Sequence, residues 1–196
     1  MLTKMSKIGI YPGSFNPPTL AHAAIAEAAL SEHDLDRLDI VMSKSALGKS
    51  NVTYPKFSDR VHVVRSSFAE FDNIDVVVTD KQLLSEMSQG YDLLVLGSDK
   101  WTQIQERRWY PDDRARTTAL AALPTVTVAA RSTIDLPQDI RLTVDPKFVQ
   151  DVSSTAARDG AVQMMTDAAR SFAIESGAWV DRARYERWRG QQQSGQ

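Results

Sequence analysis

IGIYPGSFNPPTLAHAAIAEAAL, residues 8 to 30, opens with an apolar strand pattern at Ile8, Ile10 and Tyr11. It then turns through a segment rich in Gly, Asn and Pro, Pro12 to Pro18, and enters an Ala-rich helix at Thr19. A strand end, a loop with bare backbone amides and a fresh helix N-terminus together suit an anionic ligand, because unpaired N–H groups and the helix dipole favour negative charge. Thr19 and His22 lie three apart, so their side chains share one face of the first helical turn beside those amides. The plain alternative is a helix cap next to an ordinary surface histidine.

The whole chain sets the bounds for this unit. Its 196 residues fit one domain spanning 1–190, with a helical C-terminal part from about 151 and a disordered tail over 191–196. It is 42% hydrophobic and 24% charged, with a net charge of −2. Neither a strongly basic balance nor a long apolar run is present, so nothing calls for a nucleic-acid or membrane partner. A phosphorylated ligand must therefore be held by a few placed cations. Cys is absent, which excludes disulfides, thiolate nucleophiles and Cys-ligated metals. The N-terminal stretch turns before it could build a signal-peptide core, so the expected location is the cytoplasm. The sequence leaves a homo-oligomer open.

Downstream, strand patterns recur at Arg37 to Met42, Ile74 to Val78, Tyr91 to Leu96, Thr125 to Ala130 and Arg141 to Val144. Helical patterns fall at Ser58 to Phe71 and Gln82 to Ser88, then near Ser153, at Val162 to Glu175 and at Val180 to Trp188. Strands alternating with helices predict an α/β fold: a Rossmann-like, doubly wound parallel sheet followed by C-terminal helices. Ligands of such sheets sit beyond the carboxyl ends of the strands, where strand order reverses. The residues expected to converge there include Gly13 and Ser14, Lys44, Gly97 with Asp99, and Arg131.

Two features of the loop after the second strand invite error. SKSALGKS, Ser43 to Ser50, is one residue away from a P-loop, but it runs into the β-branched, Pro-containing NVTYP instead of a helix. VMSKS, Val41 to Ser45, echoes a synthetase signature that in those enzymes lies far downstream of the first motif. What survives is that Lys44 and Lys49, on a loop beside the site, are candidate phosphate ligands.

DVSSTAAR, Asp151 to Arg158, places Ser153, Ser154 and Thr155 ahead of a helical segment, with Arg158 one turn on. They suit a plain helix cap, and three hydroxyls with an Arg equally suit the outer phosphates of a nucleoside triphosphate. Asp99, after Gly97, is placed to accept from ribose hydroxyls or to cap a helix. Trp109 could stack on an aromatic ring or serve packing. No spacing of His, Asp and Glu suggests a structural metal site.

GSFNPPTLAH together with the later SSTAAR resembles the nucleotidyltransferase superfamily, whose members carry a (H/T)xGH motif and a late ISSTxxR motif in this order. Ala21 stands where Gly is usual and Val152 where Ile is usual. Within the superfamily, FNPP after GS, LVLGSDKW at Leu93 to Trp101, Trp109 and a strand ending in Arg131 are most similar to nicotinate or nicotinamide mononucleotide adenylyltransferase. Phosphopantetheine adenylyltransferase is the nearest rival, through Phe57, Ser58 and Arg60. The loop of Ser43 to Lys56 and the C-terminal helices do not follow the nicotinate enzymes' usual pattern.

The resemblance implies attack by an acceptor phosphate on the α-phosphorus of ATP, with Mg²⁺ held by the phosphates and no protein metal ligand, in NAD biosynthesis. It implies catalytic roles for Thr19, His22 and Arg158, and phosphate contacts from Gly13, Ser14, Phe15, Gly97, Ser154 and Thr155. Acceptor contacts would come from Lys44, Lys49, Asp99, Trp109 and Arg131. A cytidylyltransferase, or a nucleotide-binding regulator without turnover, stays open as an alternative.

Overall fold

The computed structural model describes residues 6–44, 54–130 and 135–194. Six strands are present: β1 Ile8–Pro12, β2 Arg37–Ser43, β3 Ile74–Thr79, β4 Leu93–Gly97, β5 Thr125–Ala129 and β6 Arg141–Leu142. They form one sheet in the order β3-β2-β1-β4-β5-β6. Every pairing is parallel; Gly9 of β1, for example, lies opposite Leu38 of β2 on one side and Leu93 of β4 on the other. This is the doubly wound, Rossmann-like arrangement, and strand order reverses at β1. The carboxyl end of β1, where the loop of Gly13 to Pro18 begins, is thus the natural crevice.

Nine helices follow in chain order among the described residues: α1 Leu20–Glu32, α2 Phe57–Ser67, α3 Leu84–Met87, α4 Ser98–Gln105, α5 Asp113–Ala121, α6 Pro146–Gln150, α7 Ser154–Arg158, α8 Asp167–Ser176 and α9 Arg182–Ser194. Side chains alternate across the central strands, so these feed two cores. Tyr11, Leu38, Ile40, Leu93 and Val95 pack with α1 and α2 residues such as Ile25, Ala29 and Val64. Ile10, Val41, Leu94 and Leu96 pack on the other face with Ile104 and Leu120. A third cluster joins Val63 of α2 to Met165, Ala169, Ala173, Trp179 and Tyr185 of the C-terminal segment.

The structure shortens or interrupts several expected elements. α2 ends at Ser67 instead of Phe71, α3 covers only Leu84–Met87, and β6 only two residues. The helix expected over Val162 to Glu175 is broken into a 3-10 turn, Val162–Met164, and α8. The break has a cause: Met165 makes an isolated antiparallel bridge with Thr19, and the Thr166 amide donates to the carbonyl of Pro18 at 3.2 Å. Both contacts need extended backbone. Two helices were not anticipated, and each is opened by an aspartate. Asp112 accepts from the Ala115 amide at 2.7 Å, and Asp145 from the Lys147 amide at 3.0 Å, with Pro146 in the first turn. The tail expected from 191 begins inside α9, which continues to Ser194.

Candidate functional site

The loop after β1 is set by its own side chains. Phe15 is buried, with φ of 42°, and its ring packs edge-on against Tyr11 and Phe68 and lies 4.9 Å from the His22 ring. A left-handed φ at a bulky residue persists only where packing imposes it. Gly13 makes room for that ring: an added Cβ would lie 2.7 Å from Cε2 of Phe15. The Gly13 amide donates to the carbonyl of Val41 at 3.0 Å, extending the β1–β2 pairing. This corrects the expectation that Gly13 offers its amide to phosphate; its contribution is the missing side chain.

Thr19 caps α1 and is 1% exposed. Its backbone N–H donates to Nδ1 of His22 at 3.0 Å, and its Oγ1 lies 2.8 Å from the same nitrogen. A backbone amide can only donate, so Nδ1 is an acceptor and the proton of the neutral ring sits on Nε2. Thr19 and His22 therefore form a reciprocal capping pair in which the ring's proton sits on Nε2.

The second motif meets this loop directly. Ser153 caps α7 by accepting from the Ala156 amide at 3.0 Å. Ser154 Oγ donates to the carbonyl of Pro17 at 2.9 Å. Arg158 donates through Nη1 to the carbonyl of Asn16 and through Nη2 to Thr155 Oγ1 at 3.1 Å. The fold thus brings Thr19, His22, Ser154, Thr155 and Arg158 to one loop. Capturing the carbonyls fixes the orientation of the peptide planes between them.

Sequence reasoning missed two further supports. Arg60 of α2 donates to the carbonyl of Ser14 at 3.2 Å and is only 6% exposed. Burial pulls its guanidinium below the usual arginine range, and its Nε finds no hydrogen-bond partner among the described residues. Trp179 donates its indole N–H to Asn16 Oδ1 at 2.7 Å. Arg60 was visible only as part of a motif echo, and no local pattern announces a contact that spans the chain from Asn16 to Trp179.

On the other side of β1 a cleft opens at the carboxyl ends of β1 and β2. Gly13, Ser14, Leu84, Lys100, Trp109 and Leu120 are among the residues that line it. Its wall is mainly apolar, and Lys100 is its cation among the described lining residues, with Nζ 2.7 Å from Gln103 Oε1. Trp109 presents a buried indole nitrogen that has no hydrogen-bond partner among the described residues, and Arg108 stacks over its ring at 4.9 Å. Gly97 ends β4 and passes directly into α4; an added Cβ there would meet nothing within 4 Å. Asp99 is exposed in the first turn of α4.

Lys44 does not join this group. It is ion-paired with Asp80 at 3.2 Å, both side chains more than half exposed, and it is not among the cleft's lining residues. Lys49 and Arg131 lie outside the described residues. Among the described residues no group of three His, Cys, Asp or Glu could hold a metal ion. No helix among them is long and apolar enough to cross a membrane.

Residues 10–160 match the model of the cytidylyltransferase-like family. The chain is 31% identical over 169 residues to a probable nicotinate-nucleotide adenylyltransferase of Sulfurimonas denitrificans, covering 79% of this chain and 85% of that one. It is 25% identical over 164 residues to a protein of the same description from Salinibacter ruber, covering 76% and 77% respectively. A shorter likeness, 30% over 83 residues, links it to a phosphopantetheine adenylyltransferase of Mycoplasma capricolum, covering 42% of this chain and 56% of that one.

Proposed function

The chain belongs to the cytidylyltransferase-like family, and on that premise we propose that it moves the adenylyl group of ATP onto the phosphate of nicotinate mononucleotide. In this reaction an oxygen of the acceptor phosphate forms a bond to the α-phosphorus, the bond from that phosphorus to the β-bridging oxygen breaks, and pyrophosphate leaves. No protein nucleophile is needed; catalysis consists of positioning and of stabilising charge on the phosphoryl oxygens. The observation that carries the reading is the joining of two distant phosphate-type motifs on one loop, through Ser154 on Pro17 and Arg158 on Asn16.

In this reading the amides of Ser14 and Phe15 face the reacting phosphates. His22 donates Nε2–H to a non-bridging oxygen of the transferred group, with Thr19 holding its tautomer. Ser154, Thr155 and Arg158 grip the outer phosphates, Arg158 with the guanidinium edge not turned to Asn16. The Gly97 end of β4 leaves room for the nucleotide, and Asp99 accepts from a ribose hydroxyl. The donor set is amides, hydroxyls and cations, which suits phosphate oxygens; Mg²⁺ would arrive on ATP, where it supplies charge neutralisation for the leaving pyrophosphate. The acceptor's ring lies along Trp109 and the apolar wall, and Lys100 pairs with an anionic group of the acceptor. Lys49 and Arg131 remain proposed acceptor contacts.

The test is pyrophosphate release from ATP and Mg²⁺ with nicotinate mononucleotide, nicotinamide mononucleotide or phosphopantetheine in separate reactions. Fast release with nicotinate mononucleotide is expected. Preference for phosphopantetheine would reassign the acceptor. ATP binding without release from any acceptor, including cytidylyl acceptors with CTP, would make the protein a nucleotide-binding regulator.

A further inference from the structure

Every carbonyl from Asn16 to Pro18, and that of Ser14, is held by a donor from elsewhere in the chain: Arg60 on Ser14, Arg158 on Asn16, Ser154 on Pro17 and the Thr166 amide on Pro18. The Asn16 side chain adds a fifth anchor, Trp179, which lies beyond the residues that match the family. Trp179 is held firmly. It is 4% exposed, its ring packs edge-on against Phe172 at 6.0 Å, and its φ of 67° is a left-handed conformation that a bulky residue adopts only under constraint. The turn that presents it starts at Gly177, φ 83°, where an added Cβ would lie 2.9 Å from the carbonyl oxygen of Asp181. Tyr54 donates to the Gly177 carbonyl at 2.7 Å, tying the turn to the start of α2.

We propose that Trp179 is a positioning residue for nucleotide binding: its indole N–H locks the Asn16 side chain and so fixes the loop whose amides meet the ATP phosphates. This rests on the reading that the loop of Gly13 to Pro18 holds ATP. The chemistry favours a directed role over simple packing. The indole is a donor only, and its one N–H is given to a side chain of the loop instead of to a nearby backbone carbonyl of its own helices. Asn16 in turn is clamped at both ends, its carbonyl by Arg158 and its amide oxygen by Trp179, so the peptide planes on either side of it have one orientation. A loop organised before ATP arrives loses less conformational freedom on binding.

The experiment measures Mg·ATP binding by titration calorimetry, with steady-state kinetics beside it, on wild type, W179F, N16L, the double variant and W188F. Trp188 shares the aromatic cluster but donates to Glu175 at 3.2 Å and does not touch the loop, so W188F controls for lost packing. W179F and N16L are each expected to weaken ATP binding about five- to tenfold, the size expected when one buried hydrogen bond is broken and its partner left unsatisfied. The double variant should be no weaker than either single one, the acceptor KM should stay at its wild-type value, and W188F should bind ATP as wild type does. Wild-type ATP affinity in W179F or N16L overturns the inference, as does a double variant whose loss is the product of the two single losses. Should W179F not fold, N16L alone decides, because it removes the same bond from the other side. A wild-type protein that binds no ATP defeats the underlying reading and the inference with it, and the calorimetry distinguishes that outcome from a failure of the Trp179 role.

Discussion

Substituting His22 by Asn separates two jobs that the wild-type ring performs at once. Nδ1 receives the Thr19 amide at 3.0 Å, which closes the N-terminus of α1, and Nε2–H is the donor that the proposed chemistry requires. Asn Oδ1 sits the same number of bonds from Cβ as Nδ1, so it can take over the cap, whereas nothing in Asn occupies the place of Nε2. Ala loses both. Removing one donor to a developing oxyanion lowers kcat by about 100- to 1,000-fold. Both H22N and H22A should show that loss in pyrophosphate release with ATP, Mg²⁺ and nicotinate mononucleotide. Both also lose the ring contact with Phe15, so the difference between them isolates the cap. Thr19 is buried, and leaving its amide without a partner costs about 1–3 kcal/mol. For a chain of this length each kcal/mol moves Tm by about 2–4 °C, so H22A should melt several degrees below H22N. Turnover of H22N within about threefold of wild type, against the 100-fold or more expected, would remove Nε2–H from the chemistry. Equal Tm values for the two variants would refute the capping pair.

Three further outcomes are expected. Arg158→Lys keeps the charge but gives up the two-pronged contact with Asn16 and Thr155, so kcat/KM for ATP should fall about tenfold or more; an unchanged value would show that the guanidinium geometry is irrelevant. Lys100→Met should raise the acceptor KM about tenfold or more while leaving ATP binding untouched, as befits loss of a charge-assisted contact, and an unaltered acceptor KM would remove Lys100 from the acceptor's site. Tyr185 tests pH dependence: burial first, then its hydrogen bond to Asp59, raises its phenol from 10.0 to about 12. The fold favours the neutral phenol, so this stabilisation is complete below about pH 10 and is lost as pH rises through about 12. The decline of the urea midpoint between pH 9 and 11 should be shallower in Y185F than in wild type; parallel declines would contradict the assignment.

How much of this was readable beforehand depended on range. β1, the loop and α1 carry local signals, apolar alternation, Gly and Pro punctuation and a Thr cap, and the structure realises them in place. SSTAAR was readable because a cap with surplus hydroxyls and an Arg is itself a local pattern. Gly13 misled because a strand pairing that consumes its amide comes from β2, and register is not visible in β1 alone. The Lys44 ion pair was not visible for a related reason: its partner Asp80 directly follows β3, which lies beside β2 in the sheet. Lys100 carries no local signal of its role, because its cleft is assembled from five separate segments of the chain. α5 has a cap in Asp112, but its body, DRARTTALA, has little apolar periodicity to mark it as a helix. Trp179 could not have been found from spacing at all.

The five anchors of the loop also bear on how this protein can be recombined with others. Two of them, Thr166 and Trp179, lie after residue 160, where the match to the family ends. A chimera that joined residues 10–160 to the C-terminal helices of a relative would keep every motif by which the family is identified. It would still strip Pro18 of its amide donor and Asn16 of its indole unless the new helices happened to supply both. The exchangeable unit is therefore larger than the recognisable one, and grafts of this chain should carry the loop and the turn of Gly177 to Val180 together.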